Sequence, residues 1–160
     1  MRGFTSSTHG RALPRVAIVL CLLAAWFPSL AAADRPHVVF VLADDLGWKD
    51  VGFHGGEAHT PNLDRLAQNG AALNSFYVLP SSSQTRAALL TGRYPMRYGL
   101  QTQDIVPASR YGLPEEERTL AQALEAAGYR TAFIGRWQLG HAQAQWLPTR
   151  RGFATFYGSL

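Results

Sequence analysis

The amino-acid sequence predicts an α/β fold with a mostly parallel sheet flanked by helices. Residues 37–42 form a continuous β-branched and aromatic run, which is typical of a strand buried on both faces in a parallel sheet, and residues 129–134 indicate a second such strand. The segments between them carry helix start and stop signals, so strands and helices alternate along the chain. With 160 residues, of which 47% are apolar and 16% charged, the chain is long enough for one packed domain.

Residues 1–33 have the pattern of an export signal. A basic segment precedes an apolar run at 16–26 that is too short to span a bilayer comfortably, and small residues at 31–33 form a cleavage site. We therefore expect cleavage near Ala33–Asp34 and an exported domain, periplasmic or secreted, over residues 34–160. After cleavage we expect no stable membrane insertion; the alternative is an uncleaved membrane anchor.

Charge and cysteine content narrow the function classes. Removing the three signal-segment arginines, Arg2, Arg11 and Arg15, from the formal net charge of +4 leaves +1, which gives no electrostatic case for nucleic-acid binding. The only cysteine, Cys21, lies in the apolar run after a leucine, so it does not fit a lipid anchor. The exported domain would therefore contain neither a disulfide nor a thiol nucleophile.

The first predicted helix follows the first strand at residues 60–70. Thr60 is the expected N-cap, Pro61 takes the first helical position and Gly70 ends the helix. Residues 72–78 after it fit a strand. This pattern places a strand directly before the serine-rich segment that follows.

Two further helices are expected. The second spans about 84–91 and ends at Gly92, whereas the third opens with the capping box Thr119–Gln122 and ends at Gly128. Residues 101–117, which join these helices, are expected to form a long surface connection.

Two adjacent carboxylates, Asp44 and Asp45, follow the predicted strand 37–42. In open α/β sheets, ligands bind at the carboxyl ends of the strands. A hard cation such as Ca²⁺ or Mg²⁺ would relieve the repulsion between the two groups, although Ca²⁺ takes six to eight oxygen ligands and needs more than these. The alternative is a turn with a helix-capping aspartate.

The stretch 80–95 brings a cluster of hydroxyls to the predicted start of the second helix. A helix start offers free N–H groups and a partial positive charge, so it suits an anion. Ser82 with Arg86 one turn later is therefore a candidate arrangement for binding and attacking a sulfate or phosphate ester. The alternative is that serines 81–83 only cap the helix and that Arg86 is solvated.

Arg136 lies just after the predicted strand 129–134, so it is expected at the same sheet edge as the carboxylates and Ser82. A cation, an acidic pair and a hydroxyl on one edge suit an anionic ester bridged to a metal ion. His54 and His59 lack metal-ligand spacing and are expected in loops, and we expect a structural role for His141.

Five stretches, in order, resemble the motifs of the sulfatase family, and the resemblance covers residues 37–160. The second signature of that family, Gly-Lys-Trp-His-Leu-Gly, is similar to Gly135–Gly140, and the last stretch resembles arylsulfatase B-like members. Residues 41–47 match the opening metal motif, and residues 60–67 match the helix after it. Residues 86–94 match the signature helix, 135–140 the second signature and 147–153 the next landmark of the family.

The resemblance implies an alkaline-phosphatase-like α/β fold, here truncated, that hydrolyses sulfate esters such as aryl or glycan sulfates. Its nucleophile is formylglycine, which a maturation enzyme makes from cysteine or serine; the hydrated aldehyde attacks sulfur, and a bound Ca²⁺, or Mg²⁺, supports the reaction. By position, the resemblance implies that Asp44 and Asp45 are metal ligands and that Ser82 is the formylglycine precursor. Arg86 would stabilise the hydrated aldehyde. Arg136 would be a further catalytic residue that also binds substrate, and Gln138 a substrate-binding amide.

The chain departs from the family pattern at four positions. Ser82 stands for the commoner cysteine and Gln84 for proline; Arg136 stands for lysine and Gln138 for a histidine. Glutamine cannot shuttle a proton near neutral pH. Two alternatives therefore stay open: an inactive, degenerate sulfatase, and a phosphate or phosphonate ester hydrolase with an unmodified serine. Because the family domain is considerably longer, we expect a fragment of a longer or decayed gene product, with the other metal ligands beyond Leu160.

Overall fold

The computed structural model describes residues 35–101 and 104–160. The predicted export signal lies outside the described residues. The chain divides into two compact units, residues 1–42 and 43–160, and the elements below all belong to the second. Among the helices of the described residues, none has the length and hydrophobicity of a membrane-spanning segment.

The second unit combines short helices with a parallel pair of strands. The strands β1 (Ala132–Arg136) and β2 (Thr155–Ser159) run parallel, with Ala132 opposite Thr155 and Arg136 opposite Ser159. The α-helices are α1 (Pro61–Asn69), α2 (Ser82–Thr91) and α3 (Leu120–Ala126). Single 3₁₀ turns occupy Trp48–Asp50, Gly52–His54, Pro95–Tyr98, Ala144–Trp146 and Pro148–Arg150.

Local end signals predicted the helices well. Helix α2 starts two residues before the predicted position and ends at Gly92, which adopts φ +66° and donates its N–H to Ala88 O at 2.8 Å. The capping box of α3 is confirmed: Gln122 N donates to Thr119 Oγ1 at 3.1 Å, and Thr119 N donates to Gln122 Oε1 at 2.8 Å.

The predicted strand at 37–42 is wrong. These residues form no strand, and their side chains are exposed, with Val39 85% and Val41 81% accessible. The segment 72–78 is likewise irregular and exposed. A strand requires neighbours that share its hydrogen bonds, and the described residues contain a sheet of only two strands. The predicted strand at 129–134 begins later, at Ala132, and is largely exposed instead of buried.

The core lies between α2, α3, the connection that joins these helices, the segment after β1 and the segment before β2. Trp137 is fully buried, and Phe133 packs edge-on against both Trp137, at 5.6 Å between ring centroids, and Phe153, at 5.2 Å. The connection 101–117, predicted to lie on the surface, in fact contributes buried side chains. The buried apolar residues of this cluster are Ala87, Leu100, Ile105, Leu113, Ala121, Trp137, Leu139 and Phe153.

A buried arginine joins the start of α3 to the segment before β2. Arg151 is 2% exposed and donates from Nη2 to the carbonyls of Pro114, at 3.0 Å, and Glu117, at 2.5 Å. Burial lowers the pKa of this guanidinium, and the carboxylates of residues 115–117 oppose the shift. Thr119, the N-cap of α3, donates its hydroxyl to Arg151 O at 2.7 Å. The backbone and the side chain of Arg151 thus both hold the start of α3 in place.

We expect Arg151→Met to lower the free energy of unfolding by about 2–4 kcal/mol, because two buried carbonyls lose their donor. The exposed neighbour Arg150 supplies the control: Arg150→Met should change that free energy by about 0.5 kcal/mol or less. Urea unfolding followed by tryptophan fluorescence measures both. Equal stabilities of the two variants would mean that the carbonyls find other donors.

Candidate active site

One carboxylate and two guanidinium groups meet at the centre of the candidate site. Arg86 Nη2 lies 3.1 Å from Asp44 Oδ2, and Arg136 Nη1 lies 3.8 Å from the same oxygen. The three side chains come from the segment before the first 3₁₀ turn, from α2 and from the end of β1. The structure therefore brings together three of the residues that the sequence predicted for this site.

Arg86 is held by three groups at once. Besides the ion pair, its Nε donates to Arg136 O at 3.0 Å and its Nη1 donates to Ser82 O at 3.2 Å. The residue is 8% exposed, and its neighbour Ala87 is fully buried in the core, which fixes the face of α2 that Arg86 occupies. The predicted alternative of a solvated Arg86 is therefore wrong. Arg136 differs, because 55% of its side chain is accessible and its guanidinium can reach a ligand.

Ser82 is the first residue of α2 and follows the N-cap Ser81. It is half-buried, and its hydroxyl makes no hydrogen bond with any residue in the described ranges 35–101 and 104–160. The N–H groups of the first helical turn and the helix dipole favour negative charge beside it. Ser82 is thus an unengaged oxygen at an anion-favouring helix start.

Asp104 lies at the same helix start, and sequence reasoning missed it. Its Oδ1 accepts the Ser81 hydroxyl at 2.5 Å and the Ser83 N–H at 3.0 Å. The hydrogen bonds from Ser81 and from the Ser83 backbone are the main causes that hold the pKa of Asp104 below its usual value, and the charge of Arg86 adds to them. A single carboxylate in an irregular connection has no sequence pattern that would have revealed it.

Two predicted site residues do not join this cluster. Among the described residues, neither Asp45 nor Gln138 makes a hydrogen bond or ion pair with Asp44, Arg86 or Arg136. Both adopt the left-handed backbone region, with φ +54° at Asp45 and +51° at Gln138, which is uncommon for residues other than glycine. Strained backbone of this kind concentrates at functional sites.

Gln138 combines that backbone with an unmet acceptor, because its Oε1 is buried and no residue in the described part of the chain donates to it. Trp137 fixes its place: the indole Nε1 donates to Gly140 O at 3.1 Å and to Trp146 O at 2.8 Å. A buried acceptor of this kind would be satisfied by a donor on a ligand.

The donor chemistry of Asp44 and Asp45 fits a hard cation, since carboxylate oxygens are the ligands that Ca²⁺ and Mg²⁺ take. The described residues supply only part of such a site, because they contain no group of three or more His, Cys, Asp or Glu side chains placed to hold a metal ion. Two histidines contact backbone carbonyls: His54 Nδ1 lies 3.0 Å from Trp48 O, and His141 Nε2 lies 3.0 Å from Pro107 O.

A family profile described as Sulfatase matches residues 36–160. The chain belongs to the sulfatase family. This match confirms the family resemblance that the motifs predicted, and the α/β fold class is confirmed as well. Sulfatases are sulfuric ester hydrolases.

Curated sulfatases match most of this chain but are much longer. The chain is 46% identical to human (Homo sapiens) arylsulfatase A over 140 residues, which are 86% of this chain and 28% of that protein. It is 45% identical to Mus musculus arylsulfatase J over 130 residues, 81% of this chain and 22% of that protein. It is 39% identical to N-acetylgalactosamine-6-sulfatase of Canis lupus familiaris over 151 residues, 89% of this chain and 29% of that protein.

Solved structures give the same relationship. The crystal structure of Ps i-CgsB superimposes with a TM-score of 0.70 at 39% identity and covers 74% of this chain and 26% of that one. The crystal structure of Ps i-CgsB in complex with k-i-k-neocarrahexaose gives a TM-score of 0.66 at 40% identity, with 72% and 26% covered. The sulfatase chain described here therefore spans about a quarter of these proteins.

Proposed function

We propose that this sulfatase hydrolyses sulfate esters, with Ser82 as the precursor of a formylglycine and with Asp44 and Asp45 as two ligands of a Ca²⁺ ion. The observation that carries the proposal is the set of contacts of Arg86. One guanidinium contacts Asp44, the backbone of Arg136 and the backbone of Ser82, so three motifs far apart in the sequence meet around a single cation.

Different described residues bind different parts of the ester. Ser82 is the first residue of α2, and the partial positive charge of the helix start favours an anionic sulfate beside it. Arg136, with its accessible guanidinium, is suited to bind the sulfate oxygens in a planar, two-pronged contact. Gln138 Oε1 has unused acceptor capacity for a hydroxyl or amide of the substrate.

Arg86 has a different task, because burial and three bonds leave it little freedom to follow a substrate. It orients the start of α2 relative to Asp44 and keeps positive charge next to the nucleophile. When present, formylglycine supplies a hydrated aldehyde oxygen as the nucleophile, and Ca²⁺ supplies positive charge at the sulfate oxygens.

The substrate class we propose is an aryl or glycan sulfate. The glycan option is supported by the names of two related proteins, an N-acetylgalactosamine-6-sulfatase and a structure that holds k-i-k-neocarrahexaose. Export through the predicted signal at 1–33 and conversion of Ser82 by a formylglycine-forming maturation enzyme complete the proposal.

Mass spectrometry of the exported protein from its own host tests this proposal first. A peptide containing Ser82 that has lost two hydrogens, together with hydrolysis of 4-nitrophenyl sulfate or a sulfated oligosaccharide, would support it. An unmodified serine without hydrolysis would favour the degenerate sulfatase. An unmodified serine with hydrolysis of 4-nitrophenyl phosphate would favour the phosphate ester hydrolase.

Calcium binding provides a second prediction. We expect Asp45→Asn to weaken the affinity of the full-length protein for Ca²⁺ at least about tenfold, because a charged ligand is replaced by a neutral one. Isothermal titration calorimetry measures the affinity, and Glu57→Gln, an exposed carboxylate elsewhere, is the control. An unchanged affinity would remove Asp45 from the ligand set.

A further inference from the structure

Asp104 binds the chain on both sides of Ser82. Its Oδ1 accepts from the Ser81 hydroxyl, at 2.5 Å, and from the Ser83 N–H, at 3.0 Å. The Ser81 hydroxyl also contacts the side chain of Gln84 one turn into the helix. Ser82 itself contributes no side-chain bond within the described residues, so its orientation depends on these neighbours and on Arg86, whose Nη1 donates to Ser82 O.

A second bond fastens the same two segments to each other. Ile105 N donates to Ser83 Oγ at 2.9 Å, and Ser83 is fully buried. Ile105 is 4% exposed and belongs to the core cluster, which anchors the connection that carries Asp104. The backbone beside Asp104 is therefore held in place by the core, and the carboxylate contacts the start of α2 from there.

We propose that Asp104 is a positioning residue for the nucleophile: it fixes the backbone around Ser82 so that the side chain of residue 82 points toward the bound ester. The inference rests on the proposed role of Ser82 and extends it to a residue outside the recognised motifs. The Ser83 N–H is one of the helix-start donors that have no partner within the helix. A charged acceptor holds such a donor more strongly than a neutral one.

Positioning of Ser82 and simple stabilisation of α2 have different effects. A cap that only stabilises α2 would change the free energy of unfolding and leave the folded site unaltered. A positioning residue also sets the local geometry at Ser82, and small misplacements of a reacting group lower the rate of the chemical step more than they weaken substrate binding.

The test uses hydrogen exchange and NMR on the full chain with Asp104→Ala and Asp104→Asn. We expect the alanine variant to raise the exchange rate of the Ser83 amide about tenfold or more and to shift the Ser82 Cβ resonance. Asparagine keeps an oxygen in place that can accept both hydrogen bonds, so it should restore most of both values. Glu116→Ala, which removes an exposed carboxylate from the same connection, should alter neither.

Kinetics supply the functional readout. In the active full-length protein, Asp104→Ala should lower kcat about 10- to 100-fold with KM changed by about twofold or less, and Asp104→Asn should recover part of kcat. Unchanged Ser83 exchange and Ser82 Cβ shift in the alanine variant, or a rise in KM without loss of kcat, would overturn the proposal. Because the two NMR readouts need no turnover, absence of hydrolysis by the wild-type protein would count against the proposed function alone.

Discussion

Replacing Ser82 with alanine in the full-length protein is expected to lower the proposed sulfate ester hydrolysis by about 10⁴-fold or more, the largest effect that we expect of a single change. Alanine has no side-chain oxygen and cannot be converted to formylglycine. The hydroxyl of Ser82 makes no bond that the fold needs, so the folded structure should survive the substitution. Loss of activity can then be assigned to the missing nucleophile.

Two further variants sharpen this result. Ser82→Cys restores the commoner formylglycine precursor and should keep or raise the activity, whereas Ser75→Ala, at an exposed turn, should leave it unchanged. Initial rates with 4-nitrophenyl sulfate, and unfolding curves for each variant, are the measurements. Wild-type rates in the Ser82→Ala protein would show that another group attacks the ester and would remove Ser82 from the site.

Replacing Arg86 with methionine in the full-length protein is expected to lower kcat/KM of the proposed hydrolysis about 10³-fold and the free energy of unfolding by about 1–3 kcal/mol. The variant loses the ion pair to Asp44 and the bonds to the carbonyls of Arg136 and Ser82. Asp44, 40% accessible, keeps partial contact with water and with Arg136, which limits the loss of stability. The loss of rate is larger because the start of α2 is no longer tied to the other two motifs.

The matched variants are Arg86→Lys and Arg97→Gln. Lysine keeps the charge but lacks the planar set of donors that reaches three acceptors, so we expect an intermediate loss of about 10²-fold. Arg97 is exposed, and its substitution should change neither rate nor stability. Steady-state kinetics with urea unfolding of the same preparations tests the prediction, and a fully active Arg86→Met protein would contradict it.

The helices could be predicted from the sequence because their ends are determined by nearby residues. Thr119 and Gln122 satisfy the first N–H groups of α3 within one turn, and Gly92 supplies the left-handed conformation that ends α2. Such signals act over three or four residues and need no distant partner. The motifs that identify the family are local in the same sense, so the sequence also led to Asp44, Ser82, Arg86 and Arg136.

Strand formation and the geometry of the candidate site depend on residues that are distant in the sequence, so they could not be predicted from local patterns. The apolar run 37–42 has strand composition, yet composition does not supply the neighbouring strands that must share its hydrogen bonds. Strand β2, which no local pattern predicted, forms where it can pair with β1. The polar composition of the connection 101–117 predicts that it lies on the surface, yet the tertiary structure buries its apolar residues Ile105 and Leu113.

By itself the sequence determined the family, the helix positions and the residue types at the candidate site, since each is encoded over a few neighbouring residues. Only the tertiary structure decided that Arg86 is shared among three segments and that Asp104 holds both sides of Ser82. Apart from the contact of Arg86 with Ser82 one helical turn away, those contacts join residues 21 to 50 positions apart in the chain, so they depend on the packing of distant segments. The identities of the candidate site residues are therefore encoded locally, whereas their geometry depends on how the distant segments pack.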